Sequence, residues 1–276
     1  MGRIRVGPAD CPSRESPELA VRLLAERGYD ACEIGLESGF WLDYPWAERL
    51  GELAREADVA LSVHAPLFAF PGHPDPKKAK MALGALDRSA GIATAAGAEV
   101  VVIHPGFWLG RDRGQALDDV VAWLGGLRER LEAKDRLVAF GIEVMGRVSE
   151  LGSVEDVLEL ASRVDFVRPV LDFAHMHATS DGGYGDVEPF AAALEAADAA
   201  LEPGAAFHIH FSDIAYANRN ETKHLRYGEG TLRAEPLAAA LARFERPATV
   251  ISESPDEASS QAIRAVLYGA EASAGA

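Results

Sequence analysis

The sequence predicts a single (β/α)₈ barrel, the TIM-barrel class of α/β fold. Three observations lead there. Eight short β-rich runs alternate with longer amphipathic stretches from end to end. Most of these runs are continuously apolar, as parallel strands covered on both faces are. The 276 residues, 48% of them apolar, suit one large core, and such barrels run to about 250 residues as one unit. No GxGxxG follows an early run, which argues against a dinucleotide-binding open sheet.

The units follow in order. The first pairs a strand at Ile4–Val6 with a helix at Ser16–Glu26, closed by Gly28. A strand at Ala31–Gly35 precedes a helix at Pro45–Ala57, and one at Leu61–His64 precedes a helix at Lys77–Ala95 that ends before Gly97. The fourth and fifth units are Val100–His104 with Gln115–Leu131, and Val138–Val144 with Val154–Ser162. Ser153, followed three residues on by Asp156, marks the start of that fifth helix. Val167–Phe173 leads to Glu188–Ala200, and Ala206–Phe211 to Glu235–Phe244. The last unit joins Thr249–Ser252 to Asp256–Tyr268, opened by Pro255. The barrel is expected over residues 1–269, with Ala270 to Ala276 a small, polar, fraying tail.

Composition excludes several classes. No basic segment leads into an apolar run at the N-terminus, and nothing approaches about 18 consecutive apolar residues. Cys11 and Cys32 are the only cysteines and form no CxxC, so a reducing, cytoplasmic setting is expected. The net charge of −16 favours solubility and opposes binding to a polyanion.

In this fold the chemistry sits where strands end. The third to eighth runs end at His64, His104, Glu143, Asp172, His210 and Glu253. His175 follows Asp172 by three residues, Asp213 follows His210 by three, and His224 lies further along the seventh unit. Burying so many imidazoles and carboxylates is costly unless something compensates. No Lys or Arg stands at these strand ends, so divalent cations are the natural partners, and mixed His/carboxylate ligands suit zinc, manganese or iron. His208 sits one layer below His210 on the same face. His177 would orient a ligand or be solvated, and His73 lies in a Pro/Gly-rich loop.

These residues, taken together, resemble the endonuclease IV family within the xylose-isomerase-like barrels. The resemblance is carried by His-Ala-Pro-Leu-Phe at His64, Pro74-Asp-Pro-Lys-Lys, Val-Ile-His-Pro-Gly at His104 and Gly-Ile-Glu at Glu143. Leu-Asp-Phe-Ala-His at Asp172, His-Phe-Ser-Asp at His210 and Ser-Glu-Ser-Pro at Glu253 continue it in order. It implies a zinc enzyme of base excision repair that cleaves damaged double-stranded DNA 5′ to abasic sites, by attack of a metal-bridging hydroxide. It further implies one metal on His64 and His104, and Glu143 bridging to a second on Asp172, His210 and Glu253. A third would rest on His175 and His224. Two or three Zn²⁺ per chain are expected, with Mn²⁺ an alternative, and Glu143 as the catalytic bridge. The family's Asp-x-His is Thr222-Lys223-His224 here, which leaves the third metal to Glu221 or to a weakened site.

An abasic-site enzyme must extrude a nucleotide. Leu67 and Phe68 after the third strand, and Phe40 and Trp41 after the second, are the candidate DNA-contacting side chains. In the opposing reading they only cap the barrel. Lys77, Lys78, Lys80, Arg111, Arg113, Arg147, Arg219, Lys223 and Arg226 gather towards the same face, a pattern consistent with a locally basic mouth. A monomer is expected. The competing readings are a one-metal sugar isomerase or epimerase on Glu143, Asp172, His210 and Glu253, and a non-catalytic metal-binding protein.

Overall fold

A computed structural model describes residues 2–274, and side chains as far as Gly269. The strands are β1 (Ile4–Pro8), β2 (Ala31–Gly35), β3 (Ala60–His64), β4 (Val100–Ile103), β5 (Ala139–Glu143), β6 (Val167–Asp172), β7 (Phe207–Phe211), β8 (Asp213–Ala217), β9 (Asn220–Leu225) and β10 (Ala248–Ser252). Eight of them run parallel in the order β1-β10-β7-β6-β5-β4-β3-β2, and β8 and β9 stand apart. All eight expected strands are present, with ends shifted by a residue or two. Among the described residues the ladder lacks strand pairing between β1 and β2. There Asp30 N donates to Val6 O at 3.2 Å, and Val6 N to Asp30 Oδ1 at 2.8 Å.

The helices are α1 (Pro17–Glu26), α2 (Tyr44–Glu56), α3 (Pro76–Ala96), α4 (Arg113–Glu132), α5 (Val154–Arg163), α6 (Phe173–Thr179), α7 (Val187–Ala200), α8 (Ala234–Leu241) and α9 (Glu257–Ala274). Their starts are written in the sequence. Ser16, Asp43, Asp75 and Asp112 each accept a backbone N–H of the first turn, and Ser153 with Asp156 forms a reciprocal capping box. Gly97 closes α3 in the left-handed region, at φ 64°. The expected tail boundary at residue 270 falls within α9, whose backbone is described to Ala274; Gly275 and Ala276 lie outside the described residues.

Two features were not expected. The short helix α6 follows β6 directly. The hairpin of β8 and β9 rises from β7 over the mouth. Inside the barrel, residues alternate in and out. Val100 and Val102 on β4 pack with Val170 on β6 as a separate buried cluster, on the same strand faces as His104 and Asp172.

Candidate metal centre

Each site residue is placed by a strand end or by the element that leaves it. His64, Glu143 and Asp172 are the last residues of β3, β5 and β6. His104 follows β4, His210 lies within β7, and Glu253 follows β10. Asp172 also caps α6: its Oδ1 accepts from His175 N at 2.8 Å, which turns the His175 ring back over the mouth. His224 and Glu221 come from β9.

The ligand atoms form four neighbouring groups: three clusters at the mouth, namely His64, His104 and Glu143; Glu143, Asp172, His210 and Glu253; and His175, Glu221 and His224; and a deeper group of Glu33, His64 and His210. Glu143 belongs to two of them. Its Oε2 lies 3.3 Å from His64 Nε2 and 3.2 Å from His104 Nε2, while its Oε1 lies 3.4 Å from His210 Nδ1. His210 Nδ1 is 3.2 Å from Glu253 Oε1. In the third cluster, His175 Nε2 stands 2.9 Å from Glu221 Oε2. Glu221 is thus the carboxylate that stands with His175 and His224. Gly146 makes room for this cluster, since a Cβ there would stand 2.7 Å from both His175 Cδ2 and Glu221 Cγ.

The imidazoles are oriented from behind. His64 Nδ1 bonds Ala65 O at 2.9 Å, His175 Nδ1 bonds Val144 O at 2.9 Å, and His224 Nδ1 meets Ser212 Oγ at 2.6 Å. A carbonyl oxygen only accepts, so His64 and His175 carry a proton on Nδ1, which leaves Nε2 as the nitrogen that faces the centre and would ligate once deprotonated. Asp172 Oδ2, Glu33 Oε1 and both ring nitrogens of His210 are buried with no hydrogen-bond partner. Buried polar atoms of this kind call for an unsupplied partner, and a divalent cation fits the donor set.

Electrostatics point the same way. Burial alone would push the Glu143 carboxyl up, but His210, His104 and His175 hold it well below the usual carboxylate range. Glu253 is also opposed by burial, yet His210 brings it down to about 2. Asp172 is driven well above its usual value by burial, with Glu253 and Glu143 adding to the rise. Desolvation would lower the histidines, but the carboxylates prevail: His64 rises to about 9 through Glu143, His175 is raised well above its usual value by Asp172 and Glu143, and His210 by Glu33, Glu253 and Glu143. Without metal, protons on imidazoles supply the positive charge that the carboxylates require.

The clusters open into a cavity of about 350 Å³, lined also by Leu67, Phe70, Phe107, Glu37 and Glu150. Leu67, which lines it, is 49% exposed, and the next residue, Phe68, is 47% exposed. Trp41, by contrast, donates from Nε1 to Gly35 O at 2.8 Å and packs edge-on against Trp46, and Phe40 lies under Arg88. Both rings are partly buried against the core.

Most mouth arginines are engaged within the chain. Arg111 bonds three carbonyls and Asp119; Arg113 pairs with Asp156 and Glu159; Arg226 pairs with Asp256 at 3.0 Å. Arg147 leans on Glu221 at 3.4 Å, and Arg219 donates to Thr179 O at 2.7 Å. Among the described residues, Lys77, Lys78, Lys80 and Lys223 are exposed and form no ion pair. Asp213 turns away from the metal clusters and accepts from the backbone of Gly228, Gly230 and Leu232. His177 is neither solvated nor near a ligand: it is buried between Thr231 and Tyr184 N. His73 Nδ1 accepts from Asp75 N in its loop.

Sequence reasoning missed three carboxylates, Glu33, Glu37 and Glu150. Glu33 carried a signal, a lone charge inside the apolar run Ala-Cys-Glu-Ile-Gly. It is fully buried, accepts from Ser62 Oγ at 2.7 Å, and contacts His208 Nε2 and His210 Nε2, each at 3.1 Å. Glu37 and Glu150 lie in loops, where a carboxylate carries no such mark; burial raises both.

Comparisons with known proteins agree with this architecture. An uncharacterized protein of Methanocaldococcus jannaschii is 27% identical over 252 residues, 90% of this chain and 91% of its own. The probable endonuclease 4 of Mycoplasma pneumoniae is 26% identical over 216 residues, covering 76% of this chain and 72% of that protein. Two solved structures superpose equally well, each with a TM-score of 0.75. A D-tagatose 3-epimerase-like protein is 20% identical, with 98% of both chains covered. Endonuclease IV from Thermus thermophilus is 17% identical, with 98% of this chain and 99% of its own covered. The model of the xylose isomerase-like TIM barrel family matches residues 21–271, and the chain belongs to that family.

Proposed function

We propose that this protein is a metal-dependent hydrolase that cleaves DNA phosphodiester bonds 5′ to abasic sites. The observation that carries this reading is the sharing of Glu143 between two ligand clusters, with a third beside them on His175, Glu221 and His224. A one-metal centre needs only Glu143, Asp172, His210 and Glu253. Divalent cations at such a centre make hydroxide available near neutral pH and stabilise charge on both the attacking and leaving oxygens. Zinc is the expected metal and manganese the alternative.

The chain's own residues do the rest. Glu143 fixes the spacing of two clusters, because a carboxylate offers two oxygens where an imidazole offers one free lone pair. The carbonyls of Ala65 and Val144 hold the His64 and His175 rings in their ligating tautomers. Leu67, which lines the cavity, and its exposed neighbour Phe68 are the side chains proposed to fill the gap left by an extruded nucleotide. Lys77, Lys78, Lys80 and Lys223 are the cations free to meet phosphates.

A second reading, a sugar epimerase of the same family, has its own support. The mouth arginines are engaged internally, and a cavity of about 350 Å³ is at the small-molecule scale. In that reading, Glu143 and Glu253 flank a single metal and move a proton at a carbon next to a carbonyl.

Incision of a duplex oligonucleotide carrying one abasic-site analogue separates the two. A cut 5′ to the lesion that is lost on chelation and restored by zinc or manganese supports the hydrolase. No cut from metal-loaded protein over a range of salt, with turnover of a keto-sugar, assigns the epimerase.

A further inference from the structure

Glu33 lies on β2, outside the three clusters at the mouth, and its carboxylate is grouped with His64 and His210 beneath them. Its carboxylate is buried among histidines, with no Lys or Arg beside it, an arrangement that is expensive unless the charge has a task. Its neighbours are Ser62 Oγ at 2.7 Å, His208 Nε2 at 3.1 Å and His210 Nε2 at 3.1 Å. His210 therefore has a carboxylate on each side. Its Nδ1 faces Glu253 and Glu143, and its Nε2 faces Glu33.

An imidazole that ligates a metal uses one nitrogen and carries its proton on the other. Were Glu33 itself a ligand alongside His210, both ring nitrogens would have to be bare. The arrangement is simpler if the Nε2 proton stays. We propose that Glu33 is the positioning residue of the four-ligand cluster: its Oε1 and His210 Nε2 stand 3.1 Å apart, both buried and neither aligned in a hydrogen bond in the metal-free protein, and on metal binding Glu33 takes the His210 Nε2–H and so directs the Nδ1 lone pair at the metal. Ser62 and His208 in turn hold the Glu33 carboxylate from its other oxygen. This inference rests on the metal-centre reading, but not on the choice between hydrolase and epimerase.

The test begins with zinc-loaded wild-type protein. Zinc analysis shows whether the centre binds metal at all; a chain that takes up none removes the underlying reading. In protein that does bind zinc, long-range proton–nitrogen correlation spectra report which His210 nitrogen carries hydrogen. A protonated Nε2 is expected, and a protonated Nδ1 overturns the proposal whatever the activity. Competition titration of Glu33→Gln then reads affinity. The amide keeps the volume but cannot accept from Ser62, His208 and His210 together. Loss of an outer partner of this kind weakens metal binding by about 10- to 100-fold, expected here at one zinc equivalent only. Affinity within about twofold of wild type overturns the proposal, as does an equal loss at every site. If Glu33→Gln does not fold, the wild-type spectrum still decides.

Discussion

Glu143 is the carboxylate on which two clusters depend, so its amide is the most informative single change. Glu143→Gln keeps the shape but cannot bridge two cations as a carboxylate does. Turnover should fall below detection while the circular dichroism spectrum is preserved; normal activity would remove the bridging role. Metal uptake should also be proton-linked. At neutral pH the metal-free site holds protons on His64, His175 and His210, and these leave when ligands bind. Affinity should therefore rise with pH until His64 has titrated, near about 9, and calorimetry in buffers of different ionisation enthalpy should count the protons released. Stability of the metal-free protein should follow the same groups. The histidine contribution, with pKa values raised from 6.5, is complete below that value and lost as pH rises towards 9. The Glu253 contribution, with its pKa lowered from 4.5 to about 2, is present above 4.5 and lost as pH falls. Metal-free protein should then melt highest between about pH 4.5 and 6.5, as a series of thermal scans would show.

The elements of the barrel were legible because each carries its own local signal. Ser153 with Asp156 announces one helix and Pro255 another, Gly28 and Gly97 mark helix ends, and the apolar runs announce strands. His64, Glu143 and Asp172 could be placed at the mouth because a polar group ending an apolar run is costly to bury without a partner. The hairpin was missed because Asp213–Leu225 is largely polar and, beyond the buried Asp213 and Ile214, is exposed or only partly buried, so no continuous buried face imposes a period. Its one signal was the turn: Asn218 and Arg219 both have positive φ, 52° and 62°, and Asn favours that region in tight hairpins. Helix α6 was missed because seven residues are too few to show a period, and its cap, Asp172, was already read as a ligand. The hairpin nevertheless delivers Glu221 and His224, and Asp213 ties it to the Gly228–Leu232 turn. Asp213→Ala should cost about 3 kcal/mol, since buried donors lose their acceptor. Elemental analysis should show one equivalent of metal lost and the four-ligand cluster retained. Loss of all metal together would show that the clusters do not fill independently.

At the scale of the whole molecule the governing quantity is the charge of −16. Sequence position alone gathered nine basic residues towards the mouth. Their partners were not readable, because ion pairs such as Arg113 with Asp156 join residues 43 apart. With four exposed lysines unpaired among the described residues, a DNA-binding surface releases few counterions. The logarithm of affinity against the logarithm of salt should have a slope no steeper than about −4, and filter binding on an abasic duplex would measure it. A steeper slope would mean that the paired arginines also reach phosphate.

The seam between β1 and β2 has a kinetic consequence. Ligands come from the ends of β3, β4, β5, β6, β7 and β10, so bound cations would rivet those strands to one another. Glu33 stitches β2 across the lumen to His208 and His210, whereas β1 sends no side chain into the ligand clusters. Metal should therefore slow amide hydrogen exchange along the riveted strands and leave the amides of β1 facing the seam nearly as fast as before. The barrel would breathe at one place, on the side away from its chemistry.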